Sequence, residues 1–146
     1  MVQKSFRIVA TIVWCLCLSV TPCWSQPQVY KGKDKRDLLI ELLVNKFGPD
    51  AFEIFGSSTE SYRSAGYELA DVANSFAGCQ AGMIDESSTL TDVQIIHLIW
   101  EQSRNANVGK RKATRVYGES AVHRAIGIFA GASYDCLQLV QKMFPL

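Results

Sequence analysis

Apolar residues recur along this chain at helical intervals. In the stretch from Glu60 to Ile84, Ala65, Leu69, Val72, Phe76, Cys79 and Met83 are separated by alternating steps of four and three. From Ala113 to Phe144, Val122, Ile126, Phe129, Ser133, Cys136, Val140 and Met143 do the same. Such spacing puts one apolar stripe on one side of a helix. Asp37 to Phe47 is apolar apart from Asp37, Glu41, Asn45 and Lys46, which predicts a largely buried helix ended by Gly48-Pro49. Pro49 opens a short helical turn, PDAFEIF, closed by Gly56.

Polar punctuation supplies the remaining boundaries. Ser57 and Glu60 have capping-box spacing, and Thr91 and Gln94 suggest a second box after the turn Asp85–Thr89. That predicts a helix from Asp92 to Ser103 with Val93, Ile96, Ile99 and Trp100 inward. Asn105 to Lys110 reads as a loop, and the last helix is expected to bend near Gly118. Strand-like alternation is lacking. The expected fold is all-α, a small antiparallel helical bundle of about four helices plus the short helical turn, in one domain spanning residues 37–146.

The first residues follow another logic. Lys4 and Arg7 precede a run from Ile8 to Val20 broken only by Thr11 and Ser19, followed by Pro22, Cys23 and Ser25. A basic opening, a short apolar stretch and small residues at the exit describe a cleaved secretory signal peptide over residues 1–25. The run is short for a membrane anchor. Residues 26–36 are expected to form a flexible polar lead.

Export changes the meaning of five cysteines. Cys15, Cys17 and Cys23 leave with the signal, and Cys79 and Cys136 remain, each on the core stripe of its own helix. An oxidising compartment favours a bridge between them. Two free thiols, or a disulfide-linked dimer, are the alternatives, so monomer and dimer both stay open. Small residues crowd the same helices: Gly66, Ala73, Ala77, Gly78 and Gly82 on one, Ala125, Gly127, Gly131 and Ala132 on the other. Interior glycines cost helix stability, and a close approach of the two backbones along a small-residue seam would compensate.

Composition adds little pull toward a particular partner. The chain has 146 residues, a formal charge of +1 and 48% hydrophobic residues. Losing the signal removes two bases and no acids, so nucleic acid is not an expected partner. His97 with Glu101, and Glu119 with His123, are four apart, but neither pair completes a metal-ligand set, and no metal or cofactor is expected. A Gly-x-Ser-x-Gly elbow, a phosphate loop and facing carboxylates are all missing, which argues against an enzyme.

Two basic knots remain: Lys31, Lys33, Lys35 and Arg36, and Lys110, Arg111, Lys112 and Arg115. The second is the candidate contact for a partner or for anionic lipid. The expected role is a secreted, extracellular, non-enzymatic binding protein, a signalling, stress or defence-type factor acting through a protein partner. The alternatives are a lipid-binding or membrane-active secreted protein, and a prohormone cut at Lys35-Arg36 and Gly109-Lys110-Arg111 to leave an amidated end at Val108.

Overall fold

The computed structural model describes residues 30–47, 59–101 and 105–146, without the side chains of 44–47 and 101. The expected signal peptide, the PDAFEIF turn and Ser57 lie outside the described residues. Within them the protein is all-α. Six helices are described: α1 (Lys35–Leu39), continued by a π-helical segment (Ile40–Phe47), α2 (Thr59–Ser64), α3 (Leu69–Ser87), α4 (Leu90–Glu101), α5 (Ala106–Tyr117) and α6 (Glu119–Met143).

Helix α4 lies at the centre. Asp92, Val93, Gln94, Ile95, Ile96, His97 and Ile99 are all buried, so it is covered on almost every side. It packs against α1, α5 and α6, and α3 packs against α6 and the π-helical segment. A helix apolar on every side belongs inside. The one-sided reading of residues 92–103 missed this because Asp92, Gln94 and His97 resemble a wet face. Each is instead met by a residue from a different part of the chain. Arg124 of α6 donates to Asp92 from Nη2 at 2.8 Å and from Nε at 2.9 Å. The Tyr117 hydroxyl donates to Gln94 Oε1 at 3.3 Å, and the Tyr30 hydroxyl shares a hydrogen bond with His97 Nδ1 at 3.2 Å.

The capping residues differ from those expected. Helix α4 begins at Leu90, and its box is Thr89 with Asp92 rather than Thr91 with Gln94. Thr89 N–H donates to Asp92 Oδ2 at 2.9 Å, and Asp92 N–H donates to Thr89 Oγ1 at 3.2 Å. Residues 105–110, expected as a loop, belong to α5. Asn105 is its N-cap, accepting from Asn107 N–H at 3.1 Å.

Two glycines divide helices that periodicity alone would join. Gly66, at φ +86°, separates α2 from α3, and Tyr67 N–H reaches back to the Tyr62 carbonyl at 3.0 Å. Gly118, at φ +84°, ends α5 and starts α6, so the expected bend is a break. The spacing of Ala65 and Leu69 hides the first break, although Ala65 is exposed, while the α6 stripe begins only at Val122, after Gly118.

The bridge forms within the chain. Cys79 of α3 and Cys136 of α6 are joined with their Cα atoms 5.7 Å apart. Around it pack Tyr62, Val72, Phe76 and Val140, a second apolar cluster beside the one built on α4. Gln80 donates to Ser133 Oγ at 2.6 Å one step along the same seam. The seam is lined by alanines, with Ala73, Ala77, Ala125 and Ala132 buried. The glycines do not take part as expected: a Cβ at Gly78, Gly82, Gly127 or Gly131 would meet nothing within 4 Å. The close approach lies elsewhere, at Gly109 of α5, where a Cβ would fall 2.2 Å from the Ile99 carbonyl oxygen.

Part of the expected lead is ordered into this core. Tyr30 is 2% exposed and belongs to the α4 cluster, and α1 starts at Lys35 behind the N-cap Asp34. An aromatic ring with a hydroxyl partner outweighs the polar composition around it.

Candidate functional site

The two basic knots meet different fates. Lys33 is 2.5 Å from Glu41 Oε2, and its ammonium holds that carboxyl below the usual glutamate range, against a smaller opposing effect of desolvation. Glu41 Oε1 also lies 3.7 Å from His97 Nε2. Lys35 reaches across to the end of α3, pairing with Asp85 Oδ1 at 3.0 Å and donating to the carbonyls of Asp85 and of Ser88, the latter at 3.1 Å. A cation at the carbonyl end of a helix answers both the unpaired acceptors and the dipole. Lys33 and Lys35 of the first knot therefore tie the start of α1 to its neighbours, while Lys31 and Arg36 are exposed.

The second knot sits on α5 and is left open. Arg111 and Arg115 are four apart, Lys112 and Arg115 three apart, and all are exposed, so they share the outer face of the helix. α5 contains no acidic residue. Among the described residues, none of Lys110, Arg111, Lys112 or Arg115 pairs with a carboxylate, whereas Lys33, Lys35, Arg63 and Arg124 all do. Among the described residues, the outer face of α5 is thus a patch of positive charge with no carboxylate paired to it.

Lys110 stands apart from the other three. It lies at the edge of a groove of about 200 Å³ between three helices, walled by Ile96 and Trp100 of α4, Ala106 of α5, and Ile126 and Phe129 of α6. The Trp100 and Phe129 rings are 5.2 Å apart at its base. Ile126, on the expected inward stripe, is half-buried because it faces this groove. Periodicity cannot reveal such a gap, since it shows which residues point inward and not whether they meet.

His97 and His123 do not share a site. His97 is buried against Tyr30 and Glu41, while Glu119 and His123, 3.9 Å apart, are both exposed on α6. No group of three His, Cys, Asp or Glu residues is placed to hold a metal ion among the described residues. Among them, no helix is long and apolar enough to cross a membrane. Lys110-Arg111, the expected dibasic cleavage site, lies in the middle of α5, and Lys35-Arg36 forms the first turn of α1. No known family model, curated protein or solved structure matches the chain.

Proposed function

We propose that this chain is an exported, non-enzymatic binding protein, a small antiparallel helical bundle behind a cleaved signal peptide, that engages an acidic protein surface through the outer face of α5. The uncompensated charge of Arg111, Lys112 and Arg115 carries this reading. Exposed cations usually find local carboxylates or are scattered, and a single-sign face attracts and orients an oppositely charged partner. The apolar spine of the Cys79–Cys136 bridge supports export, because disulfides persist in oxidising compartments.

The test begins with the full chain expressed in secreting animal cells. Intact mass of protein from the medium is expected to show a product starting at Gln26 and carrying one disulfide. That product should bind a poly-glutamate peptide in low salt, lose the interaction as ionic strength rises, and lose it in low salt when Arg111, Lys112 and Arg115 are changed together to Ser. Retention inside the cell, or equal binding by the triple variant, overturns the reading.

A further inference from the structure

We propose that the groove between α4, α5 and α6 binds a single hydrocarbon chain ending in a carboxylate, with the chain laid along the edges of Trp100 and Phe129 and the head group on Lys110. Its shape sets the first limit. About 200 Å³ is less than the roughly 300–1,000 Å³ of pockets that enclose drug-sized ligands. It equals the space of roughly seven water molecules, and a methylene takes up about as much room as a water. About seven carbons of one unbranched chain fit inside, so a ten-carbon acid keeps its carboxylate end at the rim, and a two-chain lipid does not fit.

The chemistry of the walls sets the second limit. Ile96, Trp100, Ala106, Ile126 and Phe129 offer hydrocarbon against the single amide of Asn107, too little polar surface for a sugar or a free phosphate as the main occupant. Among the described residues, Lys110 is the one charged residue on the lining. A lysine at such a place lays its stem along the apolar wall and keeps its ammonium at the rim. Lys110 has no carboxylate partner among the described residues, and the outer face of α5 adds further positive charge beside it. An anionic head is therefore favoured over a neutral or cationic one, and a singly charged carboxylate matches the single charge of one ammonium. The commitment is to a free medium-chain carboxylate, distinct from an acidic protein or a membrane surface.

Calorimetric titration of the oxidised protein, expressed from the full chain, tests this with decanoate, decyltrimethylammonium, acetate and phosphatidylglycerol vesicles as probes. Decanoate should bind saturably at one site and shift the indole resonance of Trp100. Acetate should not bind, and the cationic chain should bind at least tenfold more weakly. Lys110→Gln should weaken decanoate at least tenfold without lowering the melting temperature, Lys110→Arg should restore it, and Ala106→Phe, which fills the groove, should abolish it. Lack of saturable decanoate binding, equal binding by Lys110→Gln, preference for the cationic chain, or binding to vesicles alone each overturns the proposal. Should Ala106→Phe fail to fold, Lys110→Gln and the head-group comparison still decide. Substituting Arg111, Lys112 and Arg115 together is expected to leave decanoate uptake intact, so this site and the protein-binding face can fail separately.

Discussion

Arg124, in the second turn of α6, holds the buried carboxylate of Asp92 by two hydrogen bonds to Oδ1, while Thr89 takes Oδ2. Asp92 thus caps the helix to which it belongs and joins that helix to α6. Arg124→Met should destabilise the protein by roughly 2 kcal/mol, since it leaves a charged acceptor short of its donor. Denaturant unfolding monitored by circular dichroism checks this.

The same carboxylate predicts a pH dependence. Burial alone would raise the Asp92 pKa, but the hydrogen bonds from Thr89 and Arg124 together outweigh it and hold the group below the ordinary aspartate range. A folded-state value below the unfolded one means that the carboxylate stabilises the fold above about pH 3.9, the unfolded value. That contribution is lost as pH falls from there through the folded value. Wild type should therefore lose more stability than Arg124→Met between about pH 6 and about pH 3.

Glycines on α3, α5 and α6 should respond to alanine in opposite directions. Gly109→Ala drives a methyl into the backbone of Ile99 and should cost about 1–3 kcal/mol, as overpacked sites do. Gly78→Ala, Gly82→Ala, Gly127→Ala and Gly131→Ala place the methyl in open space and should each gain about 0.8–1 kcal/mol from helix propensity. Thermal melts of the five variants decide it, and equal effects at Gly109 and Gly78 would contradict the α4–α5 contact.

Tyr30 tests whether the segment before α1 belongs to the core. Tyr30→Ala removes a buried ring and should cost about 3–5 kcal/mol, as large aromatic truncations do. Tyr30→Phe, which keeps the ring and removes the bond to His97, should cost about 1 kcal/mol. A flexible segment would tolerate both changes.

Reducing the Cys79–Cys136 bridge, or changing both residues to Ala, should lower stability by about 4 kcal/mol in the chain-entropy view for residues 57 apart in sequence. The helices should persist under native conditions if the alanine seam and the Gln80–Ser133 bond still hold α3 to α6. Melting curves with and without reductant give the difference.

The stripes of α3 and α6 could be read from the sequence because each helix has one wet side: Val72, Phe76, Val122, Phe129, Cys136 and Val140 are buried as their spacing requires, although Met143 at the end of the α6 stripe is exposed. The same regularity concealed the break at Gly66, across which Ala65 and Leu69 keep helical spacing, whereas Gly118, also at positive φ, precedes the α6 stripe and showed only as a bend. α4 was misjudged for a different reason. Its polar residues find partners in Arg124, Tyr117 and Tyr30, which lie 23 to 67 positions away in sequence, and no local pattern records such pairings. The α5 cations were visible as a cluster. That Lys110 would part from the other three and edge an apolar groove depended on how three helices meet.

The bridge also fixes what a protease can achieve. Cys79 and Cys136 close a ring of peptide that contains all of α4 and α5, and with them the groove and the basic face. A nick within that ring adds one water to the mass and liberates no fragment. Both recognition elements would stay tethered to the body until a reductant opened the clasp.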